Sequence, residues 1–174
     1  MRHHAIFVQQ VHDPTRNPLD PSAPPGFVIA NIGHQNGHPP SIIIQIAGTR
    51  PNKKGLGGIA WVMGFTNCLP SAKHGTLSYS PSTGSTEAMA CLHAITWATS
   101  HQYSQIQILT KSRQLVQLLQ PGNHTDITLN WTVQKILAQA RNFLTCQILY
   151  VAKEQVAEAT RLAHKWQQFS MGRL

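Results

Sequence analysis

An apolar stretch, Gln105–Leu109, ends in the polar tip Thr110-Lys111-Ser112 and reads as a strand that turns at once into a helix over about Ser112–Gln120. In a sheet with crossover helices, the carboxyl end of a strand is where function usually sits, and Lys111 holds that position. A cation there calls for an anion. The chain itself supplies few: six Asp and Glu face 14 Lys and Arg, a net charge of +8, with a pI near 9.9. That imbalance favours a polyanionic partner, nucleic acid first, over the alternative of a basic surface that only aids solubility. Redox and metal chemistry have less support. Cys68, Cys91 and Cys146 are widely spaced, odd in number and set in apolar patterns, as buried reduced thiols would be. No CxxC pair or regular His/Cys spacing marks a zinc site, and His3, His4, His12, His34 and His38 fix no ligand geometry.

The elements that must position Lys111 follow from periodicity. Residues 1–40 carry most of the prolines and read as an extended tail or linker, although Ala5–Val11 and Phe27–Ile32 are candidates for short strands or docking segments. Order is expected from Ser41. Ile42–Ala47 is a β-branched strand closed by Gly48-Thr49, Arg50–Lys54 a basic loop, and Ile59–Phe65 a second strand entered through Gly55, Gly57 and Gly58. Asn67–His74 reads as a turn and Gly75–Ser80 as a third strand. Ser85 or Thr86 can cap a helix over roughly Thr86–His101, with Glu87 in its first turn, where a carboxylate suits the dipole. After the strand ending at Lys111 come a helix stopped by Pro121-Gly122, a helix over Leu129–Leu144, a strand at Gln147–Val151 and a last amphipathic helix over Glu154–Trp166. The order β-β-β-α-β-α-α-β-α predicts an α/β fold, a five-stranded mixed sheet flanked by helices, in one domain over 41–168 with a C-terminal tail at 169–174. The N-terminus lacks a signal-peptide stretch and no run nears the roughly 18 apolar residues of a membrane span, so an intracellular protein, nuclear or cytoplasmic, is expected.

That order, with five local patterns, resembles the ribonuclease H domain, in particular the plant version descended from non-LTR retroelement polymerases. The patterns are Pro39-Pro40-Ser41 before IIIQIAGT, GLGGIAWVM at 55–63, STEAMACLHAITWA at 85–98, ILTKSRQLVQLL at 108–119 and ILYVAKEQVAEATRLA at 148–163. Together they span about residues 39–165. The family's chemistry is Mg²⁺-dependent hydrolysis of RNA–DNA hybrid: clustered carboxylates hold two ions roughly 3.5–4 Å apart, one activating water and the other stabilising the leaving oxygen. Carried over by position, the four acidic seats fall on Ala47, Glu87, Lys111 and Thr160, and only Glu87 is an acid. Hard cations need anionic oxygen, so the resemblance implies the fold with no metal site and no remaining cofactor.

Glu87 then has two readings, a helix residue acting alone or a partner of Lys111, whose ammonium would take the metal's place. The resemblance implies a pseudoenzyme that binds RNA–DNA hybrid or structured RNA. The hydroxyls of Thr49, Ser85, Thr86, Thr110 and Ser112 and the cations Arg50, Lys53, Lys54, Lys73, Lys111, Arg113 and Lys153 are its candidate contacts. The alternatives are a protein–protein interaction domain that reuses the fold, a residually active ribonuclease, and a retroelement fragment with no selected role. No membrane partner is expected.

Overall fold

Six strands hydrogen-bond into one mixed sheet in the computed structural model, which describes residues 23–65, 70–121 and 127–171. The strands are β1 (Ile29–Asn31), β2 (Ile42–Gly48), β3 (Leu56–Phe65), β4 (Pro70–Tyr79), β5 (Gln105–Thr110) and β6 (Thr145–Tyr150). They lie in the order β1-β6-β5-β2-β3-β4. β2 is central, antiparallel to β3 and parallel to β5, which is itself parallel to β6. Its sequence accounts for that place: Ile42, Ile44 and Ile46 are fully buried on one face, and β-branched side chains suit a strand covered on both sides.

Four helices follow the strands: α1 (Thr83–Ser100), α2 (Arg113–Leu119), α3 (Ile127–Ala140) and α4 (Ala157–Met171), the last entered through a 3₁₀ turn at Lys153–Val156. α1, α2 and α3 cover the face that carries Ile42, Ile44 and Ile46, closing a core with Ile95, Leu115, Ile136 and Phe143. α4 covers the opposite face, where Ala47, Ala60 and Val62 meet Ala159 and Ala163. The seating is close because the contacts are small. A Cβ on Gly58 would fall onto the carbonyl of Ala163, and one on Gly75 onto the ring of Trp166.

The α/β class, the mixed sheet and the element order match the expectation, and several boundaries move. The sheet has six strands rather than five, because part of the proline-rich lead-in pairs with β6 through Ile29↔Leu149, Ala30↔Ile148 and Asn31↔Gln147. The N–H of Gly26 also donates to the Tyr150 carbonyl at 2.7 Å, and Val28 is fully buried, so order begins before Ser41. Prolines are tolerated on an edge, which is why a segment with this composition can still add a strand. β4 reaches back to Pro70, so Pro70–His74 are strand rather than turn; a ten-residue β3 needs a partner of its own length. α1 starts earlier, capped by Ser82, whose hydroxyl accepts from the Ser85 N–H at 3.2 Å; neither Ser85 nor Thr86 is the cap. α3 spans Ile127–Ala140 instead of Leu129–Leu144, and α4 runs on to Met171, past the expected domain end. Residues 1–22, Cys68, Asp126 and residues 172–174 lie outside the described residues. Cys91 and Cys146 are free and buried, and burial pushes the Cys91 thiol up to about 12.

The packing of α4 sets a stability test. Gly58→Ala forces a methyl into helix backbone, which cannot yield as a side-chain end would, and overpacking of this kind costs about 1–3 kcal/mol. Urea unfolding should show a lower midpoint with an unchanged slope, whereas Gly55→Asn, at a position with φ +78° and open space around it, should shift the midpoint far less.

Candidate nucleic-acid interface

At one end of the sheet the tips of β2 and β5 meet the start of α1 and of α2. The contact between β2 and α1 is backbone to backbone: a Cβ on Gly48 would stand 2.5 Å from the Glu87 nitrogen. Thr86 fastens it, its one hydroxyl proton shared between the Thr49 carbonyl at 2.8 Å and the Thr83 carbonyl at 2.7 Å. The Thr49 hydroxyl in turn accepts from the Gly58 N–H at 2.8 Å, tying β3 to the same point. On the other side, Ser112 caps α2 by accepting from the Leu115 N–H at 3.2 Å, and the Ser112 N–H donates to the Thr110 hydroxyl at 3.0 Å. These bonds bring Glu87 and the β5 tip together.

Glu87 is 6% exposed. Burial pushes its carboxyl above the ordinary range, while a hydrogen bond from the Ser112 hydroxyl and the nearby Lys111 charge pull it part of the way back. With Ser82 as the cap, Glu87 is no longer in the first turn, so the helix dipole does little for it. Among the described residues Glu87 and Lys111 do not close to the roughly 4 Å of an ion pair; Arg161 and Glu158 do, at 2.7 Å on the solvent side of α4. Lys111 therefore acts on Glu87 at a distance, and Ser112, which sequence reading assigned to a ligand, is its direct partner.

The other two positions marked by the resemblance, Ala47 and Thr160, bring no anionic oxygen. Ala47 is 2% exposed and packed among Ala60, Val62, Ala159 and Ala163. On α4, between those alanines, the Thr160 hydroxyl donates to the Val156 carbonyl at 2.9 Å. A pair of magnesium ions needs several anionic oxygens, and these four positions hold one carboxylate, a methyl, a committed hydroxyl and an ammonium. The donor set does not fit the metals. Glu158 faces solvent in its pair with Arg161, and no group of three or more His, Cys, Asp or Glu stands together among the described residues.

The proposed polar contacts divide in two. Thr49, Thr86 and Thr110 are 4%, 0% and 1% exposed and bonded inside the fold, so they present no hydroxyl to a phosphate. Ser85 and Ser112 are nearly as buried and serve the helix caps. Arg113 is also turned inward. Its guanidinium donates to the Ala23 carbonyl at 2.6 Å and stacks 4.9 Å over Tyr150, holding the lead-in against α2. Lys73 sits mid-strand on β4 opposite Val62, away from the tips. Arg50, Lys53, Lys54 and Lys153 are exposed.

Arg50 and Lys53 line a polar cavity of about 520 Å³ together with Asn52, Ser80, Ser82 and Thr83, at the amino end of α1. Asn52 shapes the loop, its Oδ1 accepting from the N–H of Lys54 at 2.9 Å and of Leu56 at 3.0 Å. Gln167 holds the loop from α4 through the Arg50 carbonyl at 2.6 Å. Backbone N–H groups at a helix start together with two cations make a place for phosphate. Asn52, Ser80 and Ser82 were missed from sequence. Pro81-Ser82 before a helix is a cap signature that could have found Ser82; nothing local marks the other two as neighbours of it.

Residues 45–166 match the reverse transcriptase-like family model. The chain belongs to that family. In fold it is a ribonuclease H-like domain of the retroelement type, and the solved structures agree with its architecture. RNase H1 from the halophilic archaeon Halobacterium salinarum NRC-1 superposes with a TM-score of 0.68 at 16% identity, over 73% of this chain and 97% of that one. LC11-RNase H1, solved in complex with RNA/DNA hybrid, gives 0.65 at 16% identity over 75% and 99%. The prototype foamy virus protease–reverse transcriptase gives 0.54 at 14% identity, over 74% of this chain and 21% of that one. No curated protein matches the chain.

The raised carboxyl of this reverse transcriptase-like domain fixes the sign of a pH effect. An acid whose folded pKa lies above its unfolded value of about 4.5 keeps its proton longer in the fold, so stability falls as pH rises from about 4.5 through the folded value. Glu87→Gln should therefore flatten that decline and leave the protein at least as stable at pH 7. Lys111→Ala should destabilise at pH 7 in the native background and do little beside Glu87→Gln. Urea midpoints of the four proteins at pH 4 to 7 measure both effects, and additive losses would exclude the coupling.

Proposed function

We propose that the chain binds RNA–DNA hybrid or structured RNA at the strand-tip end of the sheet and has lost two-metal phosphodiester hydrolysis. One observation carries the reading. The place where the fold's chemistry needs anions is filled by an apolar cluster around Ala47 and by the Lys111 ammonium, while the adjoining loop offers Arg50 and Lys53 at the start of α1. Replacing acids by neutral or basic groups on a face that meets phosphates lowers the repulsion of a polyanion while removing the means to cut it. A ribonuclease H with this architecture has been solved with an RNA/DNA hybrid bound, which supports the choice of ligand class.

The proposed contacts are narrower than those read from sequence: Arg50, Lys53, Lys54, Lys111 and Lys153, with Asn52 and Ser82 around the cavity. A second reading, a protein–protein interaction domain, draws on a different feature. Tyr79 at the end of β4 and Trp166 and Phe169 on α4 are 79%, 39% and 56% exposed. Captured partners that survive nuclease treatment and are lost in Phe169→Ser would favour it.

Binding of a labelled hybrid, measured by anisotropy from about 50 to 200 mM salt, tests the first reading. Affinity should fall steeply, and Arg50→Gln with Lys53→Gln should lower both the affinity and the salt slope, the latter by about 0.9 for each phosphate that is no longer neutralised. Purified protein should not cleave hybrid with Mg²⁺ or Mn²⁺. Metal-dependent cleavage abolished by Glu87→Gln would overturn the loss of hydrolysis, and no affinity at about 50 mM salt would overturn the binding role.

A further inference from the structure

A cavity of about 700 Å³ opens far from the strand tips, between β3–β4 and the adjoining faces of α1 and α3. Trp61 of β3, His74 of β4, His93 and Trp97 of α1, and Lys135 and Gln139 of α3 line it. Its volume lies within the roughly 300–1,000 Å³ of small-ligand sites. Helical spacing builds two of its walls: Leu92, His93, Thr96, Trp97 and Ser100 fall on one face of α1, and Lys135, Ala138 and Gln139 on one face of α3.

One wall is aromatic. The rings of Trp61 and Trp97 stand 4.4 Å apart, with His74 6.0 Å from Trp61 and His101 4.5 Å from Trp97. The polar groups around it are donors. The Thr96 hydroxyl lies 2.8 Å from the Leu92 carbonyl and 2.9 Å from Gln139 Oε1, its one proton shared between them, and the Gln139 amide is the side-chain amide of this wall. Lys135 stands over the Trp131 ring at 3.5 Å, at the rim on α3.

The charge balance is one-sided. The groups facing the cavity are His74 from β4, His93 with His101 beside Trp97 from α1, and Lys135 from α3; β3 contributes Trp61 and no charge. None of the described residues lining it is a carboxylate. Glu87 lies six residues before His93 on α1, about 9 Å along the axis, and Glu154 and Glu158 belong to the segment over the opposite face of the sheet. Burial and the neighbouring His74 together hold His93 below the ordinary histidine range. His93 and His74 thus face the same cavity with no carboxylate among its lining residues, and a bound anion there would offset the charge of a protonated His93.

We propose that this cavity is a second ligand site, one that takes a planar aromatic phosphate ester of nucleotide size. The tryptophan wall receives the ring, Gln139 meets its polar edge, and His74 and His93 meet the phosphate. Because the anion favours the imidazolium forms, binding takes up protons and tightens as pH falls through the histidine range.

The probe is adenosine 3′,5′-cyclic monophosphate, a phosphodiester whose single charge is constant between about pH 5.5 and 7.5, titrated calorimetrically into the full chain. Affinity about tenfold higher at the lower pH is expected, as when a bound anion raises the pKa of one histidine by about 1. Neutral adenosine should bind without that pH dependence, and sulfate should bind more weakly than the ester. His93→Gln and His74→Gln should each flatten the profile with circular dichroism unchanged; His74 is exposed, so its variant keeps the test if His93→Gln fails to fold. Arg50→Gln should leave the titration as it was. No binding at millimolar ester, a pH-independent affinity, His74→Gln behaving as wild type, or loss of binding in Arg50→Gln would each overturn the proposal.

Discussion

Two helices can approach this sheet closely only because the strand ends beneath them lack side chains. Gly48 sits against the backbone of α1 at Thr86 and Glu87, Gly57 against the Thr86 side chain, and Gly58 against the carbonyl of Ala163 on α4. The bonds from Thr86 to the Thr49 carbonyl and from the Gly58 N–H to the Thr49 hydroxyl are possible only at that range. From this seating follow the depth of Glu87, the apolar closure over Ala47, and the position of the basic loop, which Gln167 reaches from α4. The strand-tip end of the molecule is thus a packing consequence before it is a chemical one.

The same seating leaves a ribonuclease H-like frame with Glu87 as the carboxylate beside the β5 tip. A cluster of acids held together by cations is a source of repulsion when the cations are absent. Here Ala47 adds to an alanine-lined contact between sheet and helix, Thr160 satisfies itself on its own helix, and Ser112 and Lys111 moderate the carboxyl of Glu87. Each of these side chains is satisfied by its local environment. The large cavity beyond Trp97 has the opposite character, with nitrogen donors and aromatic rings where the strand-tip end has backbone and alanine.

Much of the frame was legible in the chain. The Ile42–Ala47 run, the glycines before Ile59, the Thr-Lys-Ser tip and the helical periodicities after Glu87 carry the element order, because burial on a sheet or helix imposes a period on the sequence. The sixth strand was not, since prolines at 24, 25, 39 and 40 flank a segment of only three paired residues, and edge pairing is set by β6 rather than by local preference. The start of α1 is not legible in the chain because Ser82, Ser85 and Thr86 are all competent caps, and the choice among them depends on where β4 delivers the chain.

The site divides along the same line. Residue types alone determined that the chain is basic and that acids are scarce, with six Asp and Glu against 14 Lys and Arg. Only the tertiary structure decided which polar groups remain outside. Thr49, Thr86 and Thr110 look like ligand contacts by type, yet each is consumed in a hydrogen bond inside the fold, and Arg113 is drawn inward by Ala23, ninety residues away in sequence. Burial and hydrogen bonding of a side chain are properties of its neighbours in space. A sequence states which groups are available, and packing settles which of them the molecule keeps for itself.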